Sequence, residues 1–150
     1  MKKLLSAGAV CAALSVGGAS AADRNCYSAA DVEAEQAILF ETDLMVVSSS
    51  CRDNVYGEFR LRNKNAMLHY QNAMINHFRR VGARNPKSAF DAWQTGLANE
   101  AARKQAVIPT VQVCQQAANL LTLARSLDAK GLHDYAVAHT VNDTHPKCKR

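Results

Sequence analysis

Apolar residues return at spacings of three and four along this chain and nowhere alternate with polar residues over a strand's length, so every predicted element is a helix. Ala37, Phe40, Leu44, Val47 and Cys51 draw one apolar stripe along a first helix, which runs from near Ser28 to about Ser50 and opens on a capping-box-like pair, Ser28 and Asp31. A second helix opens at Asp53 or Asn54 and continues to Val81. Its buried face carries Phe59, Met67, Tyr70, Met74, Phe78 and Val81, and Gly82 closes it in the left-handed conformation. Asn63, between Phe59 and Met67, is expected to face the core and to need a hydrogen-bond partner there.

Asn85 followed by Pro86 begins a third helix with the stripe Phe90, Trp93, Leu97, Ala101 and Ile108. Gly96 inside it costs about 1 kcal/mol relative to Ala unless another backbone approaches closely. Pro109 interrupts, Thr110 caps, and a fourth helix carries Val113, Cys114, Ala117, Leu121, Ala124 and Leu127 until Gly131 stops it. A short fifth helix, roughly Leu132 to His139, leads into a polar tail. The pattern predicts an all-α fold, an up-down four-helix bundle with a short fifth C-terminal helix.

The N-terminal segment reads differently. Lys2 and Lys3 precede an apolar stretch from Leu4 to Val16 that is too short to span a bilayer, and the small residues Ala19-Ser20-Ala21 follow. That is the form of a cleaved signal peptide, Met1 to Ala21, leaving one domain from Ala22 to Arg150. A lipoprotein reading would use Cys11, but Val10 stands before it where a small residue is needed. With no second long apolar segment, no stable membrane insertion is expected after cleavage. Without Lys2 and Lys3, the 18 Lys and Arg fall to 16 against 13 Asp and Glu, a formal charge of +3, too mild to imply a nucleic-acid partner.

Export places the remaining cysteines, Cys26, Cys51, Cys114 and Cys148, in an oxidising compartment, the periplasm or the exterior. Cys26 and Cys51 flank the first helix and would lie about 35 Å apart at 1.5 Å per residue, far beyond the ~7 Å a disulfide allows. In an up-down bundle the fourth helix starts at the Cys51 end and the tail returns to the Cys26 end. The expected disulfides are therefore Cys51 with Cys114 and Cys26 with Cys148. A redox or metal-bound role for these thiols lacks any CxxC spacing.

Candidate chemistry is sparse. His133, His139 and His145 recur every six residues with Asp134, Asp143 and Cys148 nearby, a set that would ligate zinc, copper or nickel if the tail folded back. A six-residue step turns about 240° on a helix, however, so consecutive histidines face different ways. His69 and His77 sit closer to one face beside Tyr70 and Phe78. No CxxCH, ExxH, GxSxG or SxxK arrangement is present, so no cofactor is expected and Ser48, Ser49 and Ser50 are end-of-helix polarity. The first helix carries Asp31, Glu33, Glu35, Glu41 and Asp43 and no Lys or Arg between Ser28 and Ser50, whereas the second answers with Arg60, Arg62, Lys64, Arg79 and Arg80. Such complementarity favours antiparallel pairing, at tenths of a kcal/mol for each exposed pair. Arg79, Arg80, Arg84 and Lys87 cluster at one end as a basic patch for an anionic lipid or an acidic partner.

The stretch Phe40 to Arg62, FETDLMVVSSSCRDNVYGEFRLR, with a helix ending LMV-x4-C before a second helix containing Tyr and Phe, resembles part of small exported helical proteins of proteobacteria. The resemblance implies an envelope location and brings no activity or site residues. The expected function is a non-enzymatic binding module, inhibitory or chaperone-like, acting on another envelope protein. The rival is metal or small-molecule binding through the histidine-containing C-terminal segment or the bundle interior.

Overall fold

The computed structural model describes residues 25–148; the signal peptide expected at Met1 to Ala21 lies outside the described residues. Among those residues the chain forms seven α-helices: α1 (Ala29–Cys51), α2 (Val55–Arg62), α3 (Lys64–Arg80), α4 (Pro86–Gln105), α5 (Thr110–Gln116), α6 (Ala118–Ser126) and α7 (Ala129–His139). A 3-10 turn, Thr140–Asn142, follows α7. The fold is all-α, and the one isolated β-bridge described joins Tyr27 to Lys147.

Local chemistry explains the helix ends. Ser28 Oγ accepts the Asp31 N–H at 3.2 Å and Asp31 Oδ2 accepts the Ser28 N–H at 2.8 Å, a closed capping box at the start of α1. Asn85 Oδ1 accepts the Ser88 N–H at 3.1 Å and sets Pro86 at the first helical position of α4. Gly82, with φ at 89°, turns the chain out of α3.

Several predicted boundaries differ. The second predicted helix is two, divided at Asn63, whose buried side chain donates to Phe59 O at 3.2 Å and Leu127 O at 3.0 Å. The amide thereby ties the α2–α3 junction to the far end of α6. The fourth predicted helix is likewise divided, at Ala117, and it ends at Ser126 rather than at Gly131. Asp128 starts α7 instead, its Oδ1 accepting the Gly131 N–H at 2.8 Å, so Gly131 lies inside α7. Thr110 is the first residue of α5 and Pro109 holds the cap position.

The largest departure concerns α1. A single apolar stripe would leave its other faces wet, but Val32, Ala34, Ile38 and Thr42 are buried together with Ala37, Phe40, Leu44 and Val47. Helices α2 to α7 all pack on α1, which is the axis of the molecule rather than one member of a ring. Contacts between α1 and the α2–α3 segment run in opposite order: Arg80 meets Asp31, Tyr70 meets Glu33 and Arg60 meets Glu41. Those two stretches are antiparallel. Phe59, Met67, Met74, Phe90, Leu121 and Leu132 fill the space around the axis.

Two disulfides close the ends. Cys51 joins Cys114 with Cα atoms 5.6 Å apart, and Cys26 joins Cys148 at 4.7 Å.

A methyl group at Gly96 would meet no atom within 4 Å, so close backbone approach does not explain this glycine. Gly96→Ala is expected to raise the unfolding free energy by about 0.5–1 kcal/mol. Gly82→Ala, which forces a β-carbon into positive φ, is expected to lower it by about 1 kcal/mol; urea unfolding of both variants checks the pair.

Candidate functional site

Because α1 is central, its acids are drawn inward, and a buried carboxylate is costly unless a charged or hydrogen-bonding partner reaches it. Each receives one from a different neighbour. Asp31 is met by Arg80 from the end of α3 and lies 3.5 Å from His77 Nδ1. Glu33 Oε1 accepts from Tyr70 Oη at 3.1 Å and lies 2.7 Å from His133 Nδ1 of α7. Glu35 Oε2 lies 2.9 Å from His145 Nε2 of the tail, and Arg60 of α2 donates to Glu41. These pairs are not the exposed ones the sequence pattern implies, since the Asp31, Glu35 and Glu41 side chains are almost wholly covered.

Burial and pairing pull the titrations in opposite directions. Burial holds the Glu35 carboxyl above its ordinary range against the opposing effect of His145, and does the same to Glu41 against Arg60. Burial also pushes His77 below the ordinary imidazole range, with Asp31 opposing. The Tyr70 phenol is raised by burial and then by Glu33.

The densest group of polar side chains lies where the tail crosses the start of α1. Tyr27 N–H donates to Pro146 O at 2.8 Å and Cys148 N–H donates to Tyr27 O at 3.1 Å, beside the Cys26–Cys148 disulfide. This short strap holds His145 against Glu35. The Tyr27 ring stacks flat on the His145 ring, centroids 3.8 Å apart and planes 7° apart, and also touches His77 at 4.0 Å. Asp143 Oδ1 accepts the His145 backbone N–H at 3.0 Å and lies 3.9 Å from His145 Nε2, while Lys147 reaches Asp143 Oδ2. Among the described residues, Glu35, Asp143 and His145 form a group whose metal-type ligand atoms all lie within 4.8 Å of one another. A cleft of about 440 Å³, lined in part by Tyr27, Val32, Thr140 and Lys147, opens beside the strap.

The three histidines of the C-terminal segment do not share a site. His133 turns to Glu33, His139 Nδ1 donates to Tyr135 O at 2.7 Å while its ring stacks on Tyr135, and His145 alone joins the strap cluster. The 240° step separates His133 from His139 on α7, and His145 lies beyond that helix in the tail. His69 is exposed whereas His77 is buried, so that pair does not converge either. In the basic group, Arg80 is taken by Asp31, Arg79 donates to Asn76, Lys87 pairs with Asp91 and lies over Phe90, and Arg84 is exposed. Ser48 donates to Asp53 Oδ1 at 2.7 Å and Ser50 Oγ lies 3.0 Å from both Val46 O and Gln105 Oε1, so both seal the end of α1.

Glu35 and Tyr27 are the site residues that spacing arguments miss. Their one visible signal is charge: an acidic helix without its own cations must find them, or imidazoles, elsewhere in the chain.

The other end of α1 is chemically different. Near the Cys51–Cys114 disulfide, the α4–α5 connection presents Val107, 81% exposed, and the first turn of α5 presents Val111, 69% exposed, on either side of Pro109. A shallow depression of about 750 Å³ adjoins them, lined in part by Ser50, Arg52, Thr110, Val111 and Gln115.

Comparison with known proteins finds no family model, no curated protein and no solved structure that matches this chain.

Arg60→Ala and Arg80→Ala each strand a buried carboxylate and are expected to lower the unfolding free energy by about 2 kcal/mol, below the fully buried limit because both arginines are partly exposed. Lys130→Ala, at an exposed pair with Asp134, is expected to leave stability unchanged. Chemical denaturation of the three variants measures the contrast. Native His77 takes up its proton less readily than unfolded histidine, so below about pH 6.5 the unfolded chain binds more protons and stability falls as pH drops. His77→Gln is expected to lack that part of the fall between pH 7.5 and 5.5; the other histidines are common to both proteins and cancel in the comparison.

Proposed function

We propose that this chain is an exported, single-domain helical protein of the periplasm or the cell exterior that works without catalysis, by docking on another envelope protein. Two observations bear on the location and build: the signal-like segment Met1 to Ala21 and the two disulfides. An up-down arrangement of four helical segments belongs to the same proposal, supported by the antiparallel contacts between α1 and α3 and by the meeting of Cys51 with Cys114.

The observation that carries the docking reading is the pair Val107 and Val111. Two large aliphatic side chains stand in water, Val107 on the turn before Pro109 and Val111 in the first turn of α5, the helix held by the nearby disulfide, so little backbone order is lost when a partner covers them. Arg52, exposed at the edge of the same depression, sets the chemistry of the partner. The surface that fits is an apolar segment bearing an acidic residue to meet that guanidinium. Inhibition or chaperoning are two outcomes such docking serves.

A photo-crosslinking residue placed at Val107 and activated in intact cells tests this directly. One reproducible envelope partner is expected, lost when Val111→Asp and Arg52→Glu are added to the same protein. Absence of any reproducible adduct, or an adduct indifferent to those two changes, overturns the reading.

A further inference from the structure

We propose that Glu35, Asp143 and His145 form a binding site for one divalent transition-metal ion, at the opposite end of α1 from the docking surface and independent of it.

The geometry is close to that of a loaded site. His145 Nε2 stands 2.9 Å from Glu35 Oε2 and 3.9 Å from Asp143 Oδ1, and the three ligand atoms all fall within 4.8 Å of one another. A zinc ion about 2.0–2.2 Å from each ligand sets neighbouring ligand atoms roughly 3–3.6 Å apart. The gaps of 2.9 and 3.9 Å to His145 Nε2 lie within about half an ångström of that spacing.

Charge points the same way. The Asp143 side chain is 1% exposed and that of Glu35 11%, and with a neutral imidazole the formal cation paired with them is Lys147, which lies on Asp143 Oδ2. Arg80 is paired with Asp31. Two covered carboxylates therefore share one ammonium, and a divalent ion seated between Glu35, Asp143 Oδ1 and His145 supplies the missing positive charge.

The ligands are also held in place before any ion arrives. Tyr27 stacks on the His145 ring, the backbone bonds between Tyr27 and the segment Pro146 to Cys148 fix the strap, and the Cys26–Cys148 disulfide locks it to the start of the helix bearing Glu35. Asp143 keeps its acceptor capacity, because a carboxylate offers more lone pairs than the His145 N–H and Lys147 consume. His145 is 36% exposed, which leaves a path for the ion and a position for water. One imidazole nitrogen and two carboxylate oxygens suit zinc, manganese, cobalt or nickel, and they are poor ligands for copper(I).

Zinc titration of the oxidised protein, prepared without a histidine tag, tests the site by calorimetry together with elemental analysis after dialysis. One zinc per chain is expected, bound at least tenfold more weakly by His145→Ala and by Glu35→Gln and unchanged in His133→Ala and His139→Ala. Zinc is also expected to raise the melting temperature of the parent protein and not that of His145→Ala. Should His145→Ala fail to fold, Glu35→Gln and Asp143→Asn carry the same comparison. Substoichiometric binding by the parent, equal affinity in the site variants, or a loss as large in His133→Ala overturns the assignment.

Discussion

A buried acidic helix cannot stand without cations or hydrogen-bonding groups brought to it from elsewhere, and the architecture follows from that need. Helix α1 has no Lys or Arg between Ser28 and Ser50, yet it is the element every other helix packs against. Its carboxylates therefore act as addresses. Arg80 goes to Asp31, Arg60 to Glu41, His133 to Glu33 and His145 to Glu35, each from a different part of the chain. Apolar contact supplies most of the favourable free energy but is indifferent to small slips between helices. A stranded buried carboxylate is not, so these pairs fix the register of α2, α3, α7 and the tail around the axis.

The two ends of that axis are finished by different means. At one end α1 stops at Cys51, Arg52 takes the left-handed conformation with φ at 54°, and the disulfide to Cys114 draws the α4–α5 turn over the helix end. Apolar side chains that find no room in the core are left outside there, at Val107 and Val111. At the other end the tail returns as a short strap, and its His145 ring lies against Glu35 and Tyr27. One pole thus exposes Val107 and Val111 near a disulfide, and the other gathers Glu35, Asp143 and His145.

Much of this was legible in particular residues. The capping box at Ser28 and Asp31, the Asn85-Pro86 start, the helix stop at Gly82 and the partner demanded by Asn63 are local or nearly local matters, and each is met as its chemistry requires. The length of one helix also ruled out Cys26 with Cys51, and the expected return of the chain along that helix chose Cys51 with Cys114 and Cys26 with Cys148, the pairs that form. What misled was a local signal without its context: Gly131 reads as a helix end, but Asp128 three residues earlier makes a better helix start. The histidines every six residues face different ways, as their spacing implied, and make three separate contacts.

By itself the sequence determined that the chain is helical, which cysteines are too far apart along α1 to pair, and that the first helix carries charge it cannot balance. These depend on the 3.6-residue period, on rise per residue and on residue type, which need no knowledge of neighbours. Only the tertiary structure decided that α1 is the axis, that Glu35 rather than another acid faces His145, and that Tyr27 lies flat against that ring. Those facts depend on the rotation of each helix about its own axis and on the path of the tail. Packing of the whole set of elements selects both, and no spacing along a single helix encodes either.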